Sequence, residues 1–315
     1  MSLRRSVVMA AVAFATAACT AANGTDPGTD TDATFAAEMA SSWHWAGDPQ
    51  RIEIGIFASD ADGIHVVAGG TVEIAFAFLG SDGGGEPTPG PTSSARFVPV
   101  PGTQPVAEGP TIASGARGVY EADDVTFDRP GFWEATLTAA IDGTARSLTA
   151  RFPVSARSPI PAPGDRALRT ENLTLDSKGV PDAAIDSLAA GGGEIPDPEL
   201  HRWTIADAIR RHRPALVLFG TPAYCESRLC GPELQAFQQL AARYADRAVY
   251  IHVEIWKDKD RNVVNRAAAD WLLRDNDLTD PWLFLIDSDG VIVDRWGSIF
   301  DEDQVAAELE QLPSA

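Results

Sequence analysis

Ala215-Leu-Val-Leu-Phe-Gly-Thr-Pro-Ala-Tyr-Cys225-Glu-Ser-Arg-Leu-Cys230-Gly-Pro232 is the stretch on which the reading of this chain turns. Ala215 to Phe219 is an unbroken apolar run, as a strand buried on both faces requires. A loop with two of the three cysteines follows. Glu233 to Tyr244 then places Leu234, Phe237, Leu240 and Ala241 at helical spacing. Upstream, Thr204-Ile-Ala-Asp207 has the form of a capping box with Asp in place of Glu, and opens a short helix to about Arg211. Downstream come a strand over 248–255, a helix over 262–274, strands over 282–286 and 291–296, and a helix over 303–312. The order is β-α-β-α-β-β-α. Its first part can form a parallel unit and its close hairpin must be antiparallel, so a mixed sheet is expected.

Ahead of this half the period changes to two. Ile52, Ile54 and Ile56 share one face, as do Val72, Ile74, Phe76 and Phe78. Residues 80–94 (GSDGGGEPTPGPTSS) read as a loop. Phe132–Ile141 and Thr144–Val154 flank Asp142-Gly143, a hairpin signal because both turn residues accept positive φ. Short strands with Gly/Pro punctuation predict an antiparallel sandwich. Tyr120 to Trp133 resembles the end of an Ig-like domain, and Trp133 is expected in the core. Trp43, His44 and Trp45 read as an aromatic patch with an incidental histidine. Ser155 to Asp165 carries three prolines and is expected to be a semi-stiff connector.

The 315 residues carry 25 Lys plus Arg against 45 Asp plus Glu, a net charge of −20. That charge repels phosphate and argues against a nucleic-acid partner. Three cysteines exclude a disulfide-dense scaffold and a four-cysteine zinc site. At the N-terminus, Arg4 and Arg5 precede a short apolar run, Val7 to Ala18, as in an export signal. Thr16-Ala17-Ala18-Cys19 resembles a bacterial lipobox, with Thr16 where an aliphatic residue is preferred. The resemblance implies cleavage before Cys19 and a lipid on its sulfur. Ala15-Thr16-Ala17 also fits an ordinary signal-peptidase site, which leaves a secreted or periplasmic form open. The expected layout is a signal peptide over 1–18, a small-residue tether over 19–39, an Ig-like β-sandwich over 40–156, a Pro-rich linker over 157–165 and an α/β domain over 166–315.

The cysteine stretch, the element order and Asp280-Pro281 ahead of a strand together resemble the thioredoxin-like family, over roughly residues 166–315. The resemblance implies a fold with a mixed central sheet flanked by helices and thiol–disulfide exchange with exported proteins. It makes Cys225 the exposed nucleophile, Cys230 the resolving thiol and Pro281 the cis-proline beside them, with no cofactor. Two departures stand out. The family's spacing is C-x-x-C, whereas four residues separate Cys225 from Cys230. On a regular helix that spacing turns the second side chain about 140° away from the first, so Cys225 lies before the helix or the first turn is distorted. The buried Asp that the family places on the strand ahead of the loop is also missing, since Val217-Leu-Phe219 is apolar.

Two other readings stay open. In one, Cys225 and Cys230 form a structural disulfide in a non-catalytic docking lipoprotein. In the other, Phe219-Gly-Thr-Pro-Ala-Tyr-Cys225 is similar to Sco-type copper-delivery proteins, which add a distant histidine. His252 is the sole histidine after the cysteines, and with Glu254 on the same strand face it reads as a buried pair, not a ligand. No metal ligand set is assigned.

Overall fold

The computed structural model describes residues 33–103 and 106–313. The stretch read as a signal peptide, and Cys19, lie outside the described residues. In the N-terminal part the strands are β1 (Thr34–Met39), β2 (Gln50–Asp60), β3 (Gly63–Ala68), β4 (Thr71–Phe78), β5 (Thr88–Pro99), β6 (Thr111–Ala113), β7 (Gly118–Val125), β8 (Gly131–Ile141) and β9 (Thr144–Val154). β1 thus begins inside the stretch read as tether.

These strands make one antiparallel sheet, in the order β6-β3-β2-β7-β5-β4-β8-β9 with β1 also paired to β2. The sheet curls until its ends meet: the Arg146 guanidinium of β9 lies 3.9 Å from the ring centroid of Phe35 in β1. The apolar face closes on itself, with Ile52, Ile54, Ile74, Tyr120, Leu137 and Trp133 in its core. Phe76, Phe127 and Phe152 meet edge to face at 5.4–6.2 Å, a geometry that aligns ring edges with ring faces. Asp142 and Gly143 both have positive φ and join β8 to β9 in the expected register, Ile141 opposite Thr144.

Residues 88–94, read as loop, belong to β5 instead. Over this stretch β5 pairs with β4 alone, because β7 joins it only from Arg96 to Pro99. A strand with one free edge tolerates proline. Gly90 lies against the Trp133 ring, where a Cβ would collide.

The C-terminal part holds α1 (Ile205–Arg210), β10 (Ala215–Gly220), α2 (Cys230–Arg243), β11 (Val249–Glu254), β12 (Trp256–Asp258), β13 (Val263–Val264), α3 (Arg266–Leu272), β14 (Trp282–Ile286), β15 (Ile292–Gly297) and α4 (Glu302–Gln311). Thr204 caps α1 by accepting from the Asp207 N–H at 2.9 Å. A four-stranded sheet runs β11-β10-β14-β15, with β10 parallel to β11 and antiparallel to β14.

The expected architecture, an Ig-like sandwich followed by an α/β thioredoxin-like domain, is corrected. Strand makes up 40% of the described residues and helix 17%, so the described part of the chain is mostly β. Its dominant element is a single large curled antiparallel sheet rather than two facing sheets, and helices are few. This does not fit an α/β thioredoxin fold. The physical reason is that period-two alternation fixes which residues face inward. It does not fix whether the strands hydrogen-bond into two sheets or one.

The described residues form one compact unit. The Pro-rich connector is tied to β15: Gly164 N–H donates to Ile292 C=O, and Ile292 N–H donates to Asp165 C=O. Arg295 donates to the Ile160 and Pro161 carbonyls and lies over the Trp45 and Trp282 rings. The Trp43–Trp45 patch is therefore an inter-sheet contact. Arg51 grips Asp294 with two hydrogen bonds of 2.9 and 2.6 Å, and Arg96 bridges Glu121 and Asp301. Val98, Val100 and Val119 pack on Ile299. Burial of the valine cluster contributes about 1.5–3 kcal/mol per side chain to the junction.

Glu53 of β2 and Glu233 of α2 are both buried at this junction. Burial pushes each carboxyl well above the usual range, and for Glu53 the nearby Glu121 and Glu233 add to the effect. A carboxyl raised in the fold contributes its full stability below the unfolded value near 4.5. It loses that contribution as pH rises through the folded value. Glu233→Gln is therefore expected to gain about 1–3 kcal/mol at pH 8, a gain that vanishes toward pH 4.5. Melting curves of the two proteins across that pH range check it; a gain independent of pH contradicts it.

Candidate functional site

β10 ends at Gly220, beside which a Cβ would sit 3.7 Å from Cys230 Cβ and 3.9 Å from Pro281 Cβ. The strand end, the second cysteine and the proline converge there. The chain then turns through Thr221, whose carbonyl accepts from Tyr224 N–H. Arg228 at φ +60° takes the left-handed conformation that brings Leu229 back to start α2. Cys225 consequently lies on the loop and Cys230 opens the helix. Their Cα atoms are 6.0 Å apart and the sulfurs are joined as a disulfide. The wide spacing is accommodated by the loop, with no distortion of the helix needed.

The two sulfurs have different surroundings. Cys225 is partly exposed, whereas Cys230 is buried. The Cys230 backbone N–H lies 3.3 Å from Cys225 Sγ, and Ser227 Oγ lies 3.2 Å from it. Both can donate to a thiolate on Cys225, and donors to the charged form favour it. On the other side, Asp280 Oδ2 sits 3.1 Å from Cys230 Sγ. Burial raises the Asp280 carboxyl to about 6, with Glu254 and Glu226 adding to the effect and Lys259 opposing it. Pro281, joined to Asp280 by a cis peptide bond, is buried beside the pair.

The loop is also held by the curled sheet. Arg117 donates to the Arg228 carbonyl at 3.1 Å, and Leu229 packs on the valine cluster. Trp43 Nε1–H donates to Thr279 Oγ1 at 3.1 Å. A cavity of about 390 Å³ opens between Met39–Ser42 on one side and Glu226, Leu229 and Thr279–Trp282 on the other.

Cys225, Cys230 and Pro281 are thus brought together. His252 is not with them. Its Nε2 faces the Gly220 carbonyl and its Nδ1 faces Asp186, so the set that a Sco-type copper site requires is not assembled. Cys225 and Cys230 group instead with Asp280. Asp280 was missed as a functional residue, although its place directly before Pro281 was visible. Nothing in the sequence marked Arg117, which acts on Arg228 from 111 residues away.

No family model matches the chain, and neither a curated protein nor a solved structure shows significant similarity to it.

Proposed function

We propose that this chain carries out thiol–disulfide exchange with exported proteins through Cys225 and Cys230, held outside the cytoplasm by a lipid on Cys19. The observation that carries the reading is the unequal setting of the two sulfurs. One is partly exposed and faces hydrogen-bond donors. The other is buried 3.1 Å from a carboxyl whose affinity for a proton is raised. A purely structural staple has no use for a proton acceptor against one sulfur.

In the oxidising direction a substrate thiolate attacks Cys225 Sγ. The Cys225–Cys230 bond breaks, and Cys230 leaves as a thiolate that takes the Asp280 proton. A second substrate thiolate then attacks its own mixed sulfur and releases Cys225. The substrate gains a disulfide, and its two electrons remain on Cys225 and Cys230. The reducing direction is the same sequence reversed. The cavity walled by Met39–Ser42 and by Glu226, Asp280 and Pro281 gives a substrate segment room next to the cysteine loop.

The reduction potential of the pair tests the reading directly. Equilibration of the purified protein against graded thiol buffers is expected to give a value between about −120 and −270 mV. A value below about −300 mV marks a structural disulfide and replaces exchange with the docking reading.

A further inference from the structure

Asp186, His201 and His252 form a second, fully buried cluster under the cysteine loop. They come from three separate places. Asp186 caps the short 3₁₀ turn Ser187–Ala189, His201 ends the turn Pro198–His201, and His252 lies in β11. Asp186 Oδ2 is 3.2 Å from His201 Nε2 and 3.6 Å from His252 Nδ1.

The outer atoms of two of these groups are already committed. Asp186 Oδ1 accepts from the Leu188 N–H at 2.8 Å. His252 Nε2 lies 3.2 Å from the Gly220 carbonyl, which can only accept, so Nε2 carries the proton. In a neutral imidazole, His252 Nδ1 then presents a lone pair to the Asp186 carboxylate. At 3.6 Å the two do not hydrogen-bond, and Nδ1 has no other partner. A buried carboxylate oxygen facing a ring nitrogen with no hydrogen-bond partner leaves a place that a cation fills, a proton on Nδ1 or a metal ion between the two atoms.

We infer that Asp186, His201 and His252 bind a divalent metal ion of the zinc class. Two imidazole nitrogens and a carboxylate oxygen are a donor set for Zn²⁺. Bonds of about 2.0–2.1 Å in a tetrahedron put ligand atoms about 3.3 Å apart, and Asp186 Oδ2 stands 3.2 and 3.6 Å from the two histidine nitrogens. A backbone carbonyl behind a ligating histidine and a backbone N–H on a ligating carboxylate are the outer contacts such ligands usually have. The ion ties the irregular segment around 182–201 to β11. Next to it, Ser187 Oγ accepts from the Ala223 N–H of the cysteine loop, and Glu254 accepts from the Ser187 N–H. The metal is thus a brace for the loop, distinct from the cysteines.

The test uses the full chain with its disulfide oxidised, so that thiolates cannot bind metal. The protein is unfolded with a chelator, then refolded with no metal, with Zn²⁺ or with Co²⁺. Expected are one metal per chain after gel filtration, a higher melting temperature, and a tetrahedral Co²⁺ spectrum without a thiolate charge-transfer band. Asp186→Asn and His201→Gln should each weaken binding at least 100-fold, while Cys225→Ser/Cys230→Ser leaves it unchanged. Refolded parent protein that holds no metal and melts alike with and without Zn²⁺ overturns the inference. So does binding lost only with the cysteines. Should the Asp186 and His201 variants not fold, the metal content and Co²⁺ spectrum of the parent still decide.

Discussion

Cys230→Ser is expected to accumulate a mixed disulfide with substrate thiols, while Cys225→Ser forms none and loses exchange by at least about 10³-fold. The asymmetry follows from exposure. Cys225 is the sulfur a substrate can reach, and the Cys230 N–H and Ser227 hydroxyl are placed to stabilise its thiolate. Cys230 is buried and can reach only Cys225. Without Cys230 the first step still runs, and nothing resolves its product. Non-reducing gels and mass spectrometry of each variant with a peptide thiol or disulfide read the outcome. Equal trapping by both variants would mean that the burial difference does not direct the chemistry. No trapping by either, with both proteins folded, would leave the pair as a staple.

Much of the local structure was legible because it is written in short periods. The apolar run 215–219, the Thr204 cap and the Asp142-Gly143 turn all fall where the residues place them. The assembly of strands was not legible. Alternation in β2, β4 and β8 marks an inner face, but hydrogen-bond partners are chosen by contacts between distant residues. Phe35 and Arg146 close the curl from opposite ends of the sheet. The junction of the two sheets depends on pairs such as Arg51 with Asp294, 243 residues apart, which no local pattern announces. Residues 155–204 have almost no apolar period and fold as turns, yet they deliver Asp186 and His201 to the buried cluster.

The site shows the same division. Two cysteines of one loop are conspicuous by type. Asp280 is one of many carboxylates in an acidic chain, and only the fold reveals that its oxygen lies against a sulfur. That contact has a measurable consequence. Resolution of a mixed disulfide needs Cys230 as a thiolate, and Asp280 is the group placed to take its proton. A carboxyl raised to about 6 is mostly ionised, and so a base, at pH 7, and mostly protonated at pH 5. The resolving step should therefore accelerate as pH rises through about 6. Asp280→Asn removes the base while keeping a side chain of the same shape. It is expected to slow resolution by about 10²–10⁴-fold at pH 7, the usual contribution of general acid–base catalysis. The variant's rate should instead lose the inflection near 6 and rise only at higher pH, as the unassisted buried thiol ionises. Stopped-flow decay of a preformed mixed disulfide at Cys225, across pH 5 to 9, separates the two profiles. A variant that slows while keeping the inflection near 6 would show that Asp280 positions the loop without moving the proton. An unchanged rate would remove it from the chemistry.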